Sequence, residues 1–360
     1  MKFYRILPLT FMALLATASQ AQTMVNDYRP GITTDGITYF LPQTAVRIVV
    51  TATRTTHHPG SLCAYAERYF SVSDAPQTTY DEWKIDDIQF VPYGVPDKNH
   101  VYTIALNPKS SAPLVTLAPD GRLLAVNTEC DLPKELPAPK TTPLTKEQYT
   151  PTDFFSQDIQ RAATESKRAE LIAQEIFDIR ENRTELAKGQ ADFNPENNEQ
   201  LSTMFAELSR EEKALYSLYV GTTSTEQQIF VYDYTPSVDV TDQLVFRFSR
   251  HLGMVDADDL AGEPYYLSVH NVTMLPDPTL DPKAAKKKEL PDLRYRIPGR
   301  ANLTLRNAEK EVESAIISVA QMGNIEHLGG DLFNKKYTTR ILVNPVTGGL
   351  DKVDMDAPVK

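Results

Sequence analysis

Apolar and polar positions recur with two different periods along this chain. Across 150–221 the period is helical: Phe155, Ile159, Ala162, Ser166, Ala169, Ile172, Ala173, Ile176 and Ile179 follow one another at spacings of three and four. That spacing places them on one stripe of a helix, with Glu165, Lys167, Glu170, Gln174 and Asp178 mostly opposite. Thr150, Pro151 and Asp153 mark its start, and Lys188-Gly189 marks its stop. After a polar loop around Pro195, a second run carries Leu201, Met204, Phe205 and Leu208, then Leu215, Leu218 and Tyr219, and Gly221 closes it. Ser209 and Glu212 have capping-box spacing, which predicts a break or kink midway. The reading is an antiparallel helical hairpin over 146–225. The small side chains of its stripe predict close docking on a sheet as well as on the partner helix.

On both sides of the hairpin the period is two. Runs 36–41 and 45–54 read as strands, with Val46, Ile48, Val50 and Ala52 on one face and Arg47, Thr51 and Thr53 on the other. The segment 55–60 reads as a break, and a short helix follows with Leu62, Tyr65, Ala66, Tyr69 and Phe70 at helical spacing. Runs 101–106 and 114–126 read as strands, the latter folded at the Asp120-Gly121 turn. Proline-rich 132–143 reads as a linker. Further strands are predicted at 228–234, 244–248, 266–272, 301–305, 315–320 and 336–343, with a proline- and lysine-rich loop at 276–291. The hairpin sequence 117–123 is echoed at 343–350. Shared turn chemistry explains the echo as well as duplication does.

The fold class that follows is α+β. A β-rich N-terminal domain at 22–145 and an antiparallel, sandwich-like C-terminal domain at 226–360 are joined by the central hairpin. The first 21 residues stand apart. Lys2 and Arg5 precede an apolar run from Ile6 to Ala16, and Ser19-Gln20-Ala21 offers a cleavage site, which is the pattern of a signal peptide. The apolar run is too short for a membrane span, and no later segment is apolar enough for one. Removing 1–21 takes away two positive charges and no negative ones, so the formal net charge moves from -11 to -13. Such a chain is a poor partner for nucleic acid or an anionic membrane. The expected location is the periplasm, or the outer membrane or exterior.

Catalytic signatures are missing: there is no G-x-S-x-G, Walker loop, dinucleotide fingerprint, H-E-x-x-H or C-x-x-C. No cofactor is implied. His57 and His58 are the sharpest metal candidates, yet neighbours on a strand face opposite ways and no third ligand lies nearby, so a surface turn is the competing reading. Arg180 and Arg183, three apart on the helix, could grip a carboxylate or phosphate; the competing reading pairs them with Glu181, Glu185 or acids of the second helix. Arg294 and Arg296 share a strand face, offering an anion or glycan contact or simply the wet side of a sheet. Cys63 and Cys130 are the only cysteines. An exported protein would bridge them, unless Cys63 is a buried apolar residue.

Ile176, Arg180, Arg183, Leu186, Gly189, Pro195, Leu201, Leu208, Glu212, Leu215 and Gly221 resemble the signature of an uncharacterised family. Its members are exported proteins of Bacteroides-type Gram-negative bacteria. The resemblance extends to Tyr39-Phe40-Leu41-Pro42, Tyr65-Ala66 with Tyr69, Tyr93-Gly94-Val95-Pro96 and Tyr295-Arg296-Ile297-Pro298-Gly299. The family is a domain of unknown function and lends no site residues. The expectation is a non-catalytic envelope protein that binds or assembles with protein or glycan. The alternative is a glycan or peptide hydrolase using loop carboxylates.

Overall fold

The computed structural model describes residues 25–27, 36–105, 114–146, 150–191, 197–274, 293–328 and 338–356. The expected signal peptide and the 276–291 loop lie outside them. Two long strands form the frame. β2 (Gly36–His58) and β3 (Tyr80–Ala105) pair antiparallel from Gly36↔Ala105 to His57↔Tyr80. The two runs read as separate strands are therefore one, and the expected break at 55–58 is strand. Proline explains why the pattern looked broken. The register shifts between Phe40 and Pro42, and at Pro42 β2 is paired with β3 alone among the described strands, because β7 (Thr222–Tyr234) covers just Val46 to His58. A missing N–H there costs no ladder bond. The same holds for Pro92 and Pro96 of β3.

Three sheets share this frame. The first runs β1 (Val25–Asp27), β3, β2, β7, β6 (Lys140–Lys146). The second runs β12 (Glu311–Leu328), β11 (Leu293–Arg306), β10 (Glu263–Asn271), β8 (Val240–Ser249), β9 (Gly253–Val255). The third runs β14 (Leu350–Asp356), β13 (Thr338–Val343), β5 (Leu123–Val126), β4 (Val115–Leu117). The pairings within the sheets are antiparallel, and the fold is the expected β-rich α+β type. The stretches 22–145 and 226–360 exchange strands: β7 completes the first sheet, and β13 pairs with β5. Strand periodicity carries no record of partners so distant in sequence.

The first two sheets face each other as a sandwich. Val46, Ile48 and Val50 of β2 meet Phe246, Leu267, Leu303 and Val319 of the second sheet. Fully burying such a side chain contributes about 1.5–3 kcal/mol. Tyr232, Phe246 and Tyr265 stack in sequence across this core, with ring centroids 5.1 and 4.5 Å apart. A second core gathers Tyr39, Leu41, Tyr102 and Ile104, from the other end of the frame, with Leu123, Val126, Leu293 and Ile341.

The third core is helical. α3 (Glu165–Lys188) and α4 (Asn198–Val220) form the expected hairpin, capped by Thr164, Asn197 and left-handed Gly189. The segment before α3 is not its first turns. It divides into a 3-10 turn (Pro151–Phe154) and α2 (Gln157–Arg161), because Ser156 and Thr164 each start a new helix by accepting a main-chain N–H. Ser166, expected inside, is exposed. α4 runs unbroken through Ser209 and Glu212. The hairpin's core also corrects the expected docking on a sheet. Ala169, Ile172, Ala173 and Ile176 pack with Leu215 and Tyr219 against Leu62, Ala66, Ala75 and Ile159, and among the described residues no strand residue joins this core. α1 (Ala66–Phe70) and α2 cover the small-residue stripe, and the buried Tyr219 hydroxyl donates to the Ala169 carbonyl.

Candidate functional site: a polar junction of three sheets

Where the frame leaves the sandwich and enters the second core, buried polar groups accumulate. Thr44 is fully buried on β2. Its Oγ1 donates to the Val346 carbonyl at 3.1 Å and accepts from Ala320 N at 2.9 Å. Gln321 answers it, accepting from Thr44 N and donating to Thr44 O, each at 2.9 Å, while also donating to the Pro236 carbonyl. One threonine thus joins strands of the first and second sheets to the β13–β14 turn. The register of β11 against β12 slips between Ile297 and Gly299, which frees Ala320 and Gln321 to turn toward β2.

Beside this lies a buried ion pair. Arg296, 3% exposed on β11, donates through Nη2 to Asp97 Oδ2 on β3, and Asp97 is 7% exposed. His100 Nδ1 stands 2.8 Å from the same oxygen. Arg296 N donates to Gly348 O at 2.9 Å, tying in the β13–β14 turn. Burial presses the guanidinium's pKa below its usual value, and the Asp97 carboxylate pushes it back up. Its Nε has no acceptor among the described residues, a desolvation cost the fold carries here. One residue pair along, Arg294 lies over the Tyr102 ring and contacts His327. Its main-chain N donates to the hydroxyl of Tyr39, which donates to the Arg294 carbonyl. Burial drives that phenol's pKa well up. Arg294 and Arg296 therefore share a face as predicted, but the face turns onto β3 rather than to water.

The second arginine pair is also engaged. Arg180 Nε donates to Glu212 Oε1 at 2.7 Å and Arg183 Nη1 donates to Oε2, so one acid of the second helix receives both. The Arg180 guanidinium also lies over Phe70 and Tyr216. The pairing is the competing one read from the spacing, with an acid of the second helix. This engagement explains the unkinked α4: Glu212 reaches across to α3 instead of back to a cap.

His57 and His58 sit at the end of β2 on opposite faces. His57 stacks on Tyr80 at 4.6 Å, and His58 Nε2 meets Ser224 Oγ at 3.3 Å. Among the described residues no group of three His, Cys, Asp or Glu could hold a metal. Cys63 and Cys130 are free thiols. Cys63 packs beside the helical core, whereas Cys130 follows β5 of the third sheet, toward the opposite end of the frame. The Cys63–Cys130 bridge is therefore not formed. No reading of the sequence singled out Asp97, Thr44 or Gln321. Asp97 follows Pro96 in what resembles a turn, and the other two carry no motif.

A groove of about 790 Å³ opens at the junction, walled by Pro92, Tyr295, Ile297, Val346, Leu350 and the segment 316–318, with Asp351 at its rim. A smaller one of about 440 Å³ lies by Trp83, Phe248 and Arg250. The one carboxyl among the described residues with a raised pKa is Glu211, lifted by burial and by Glu175, and it lines neither groove.

Fold and site together define a three-sheet α+β protein whose most buried charges hold its own sheets in register. The family model described as Domain of unknown function (DUF4831) matches residues 35–351, and the chain belongs to that family. No curated protein and no solved structure matches it. Among the described residues no helix is long and apolar enough to cross a membrane.

Proposed function

We propose that this chain is a non-catalytic binding or assembly protein of the cell envelope, sent there by the signal-peptide pattern of residues 2–21. The observation that carries this reading is an open sheet edge. β12 is 18 residues long and ends its sheet; among the described residues β11 is its only strand partner, and it meets β2 at Ala320 and Gln321. The stretch of it before Val319, unpaired on its outer side among the described residues, is a template for another chain. Arg180, Arg183 and Arg296, which sequence spacing offers as ligand contacts, hold acids of the protein itself, so the surface this reading uses is the edge and not those charges.

The test is recovery of the tagged mature protein from envelope extract. A stable stoichiometric partner is the expected result. If none is recovered while the purified protein cleaves glycan or peptide substrates, the reading is wrong.

A further inference from the structure

Among the described residues no strand closes the sandwich between β3 of the first sheet and β12 of the second, which lie close to one another. The two edges are not equivalent. On the first sheet, among the described residues, β3 is bonded on its outer side at Tyr102, Thr103 and Ile104, by β1, and at Trp83, whose N donates to the Arg250 carbonyl. Along the rest, Pro92 and Pro96 remove backbone donors at positions paired with Val46 and Pro42. Their rings must face outward, because a proline can give nothing to β2. Proline is one of the ordinary devices by which sheet edges are made unfit for pairing. β12 holds no proline and no lysine from Glu311 to Leu328, and its register shifts fall at 311–313 and 319–324, which leaves 313–319 regular. At its centre Ile316 is 57% exposed.

The junction groove lies against this usable edge. Three consecutive residues of β12, 316–318, line it, so it follows the strand's backbone rather than one face. Opposite stand Pro92, Tyr295, Ile297 and Leu350, an apolar wall suited to the alternate side chains of an added strand. Its electrostatics narrow the occupant. β12 carries Glu311, Glu313 and Glu326 against a single histidine, and the rim adds Asp351. The one cation in the lining, Arg296, is spent on Asp97. A second copy of this chain would bring an equally acidic edge and a whole-chain net charge of -11.

We infer that the edge of β12 accepts an extended segment of another protein, with aliphatic side chains alternating with lysine or arginine. The segment adds to the second sheet as a sixth strand and sets its apolar side chains in the groove. This rests on the binding role proposed above and names its surface and ligand class.

The test uses the mature chain and three synthetic peptides of about ten residues, a usual strand length: alternating Lys-Val, Glu-Val and Lys-Gly. Lys-Val should bind and slow amide exchange across 315–319. Glu-Val and Lys-Gly should bind at least about tenfold more weakly, a difference of about 1.4 kcal/mol. Ile316→Lys, which supplies the missing edge lysine at an exposed site, should weaken Lys-Val by a similar factor without lowering Tm. Leu260→Lys, an equal charge change at an 83% exposed site, should not. The inference is overturned if no peptide binds, if Lys-Gly binds as well as Lys-Val, or if Ile316→Lys has no effect. It is also overturned if Ile316→Lys instead dissociates a dimer of this chain. A partner captured from envelope extract whose binding ignores Ile316→Lys would leave the binding role standing and remove the edge from it.

Discussion

Two arginine–carboxylate clusters in this protein use the same chemistry in different surroundings. In the helical hairpin, Arg180 and Arg183 share Glu212, and the arginine side chains are 39% and 38% exposed. At the sheet junction, Arg296 and Asp97 hold one another at 4% and 9% side-chain exposure. Water screens the first cluster and would solvate the arginines if Glu212, itself 14% exposed, were lost. It cannot reach the second, so each ion there is tolerable only while the other is present. The difference separates a fastening that trims the energy of a helix pair from one on which the meeting of three sheets depends.

The sharpest way to break that contrast is Asp97→Ala. It leaves a buried guanidinium without its counter-ion and should cost about 3–5 kcal/mol, read from urea unfolding. Asp97→Leu combined with Arg296→Met should recover much of the loss, because no lone charge then remains. A single-variant loss near zero would mean that water enters the junction freely. Gly94→Ala should come next, at about 1–3 kcal/mol. A Cβ on Gly94 would run into Arg122 Nη1 and the Pro345 carbonyl, which this close approach of β3 to the β13–β14 turn brings together.

Glu212→Ala should cost only about 1 kcal/mol after solvent screening. Thermal melts that put it level with Asp97→Ala would erase the distinction between the clusters. The smallest effect belongs to Glu211, one residue away. Its folded pKa is raised above the ordinary 4.5 by burial and by Glu175, so its ionised form opposes folding. That penalty is complete above the folded pKa and disappears as pH falls below 4.5. Glu211→Gln should therefore raise stability slightly at pH 7, by about 0.5 kcal/mol or less given its exposure, seen as a higher Tm, and leave Tm unchanged at pH 4. An equal gain at both pH values would rule out ionisation as the cause.

The hairpin was readable because its signals are local. The 3.6-residue period, Gly189 and the three-residue spacing of Arg180 and Arg183 act within a few turns, and the structure contains each of them. The junction was not, because its partners are joined by strand register. Thr44 finds Gln321, and Arg296 finds Asp97, across more than half the chain, with no periodicity to announce either. Proline misled in the same place. Pro42 reads as the end of a strand, and the stretch that holds Pro92 and Pro96 carries no strand prediction, yet all three lie within strands that continue. The echo of 117–123 in 343–350 has a spatial counterpart: both hairpins lie in the third sheet, joined through β5 and β13. Family-resembling segments scattered through the sequence, around Tyr39, Gly94 and Arg296, converge at the same junction.

That third sheet has a temporal consequence. Ile341 pairs with Val126, so the sheet closing the second core cannot form until nearly the last strand is available. Contacts of such long sequence separation make folding slow, since loop entropy must be spent before they reward it. The hairpin and the early β2–β3 ladder can organise while the chain is still being delivered. Locking waits for the C-terminus. A chain shortened before β13 should keep a helical signature while remaining open to proteolysis along β4 and β5, a half-built molecule with its final clasp missing.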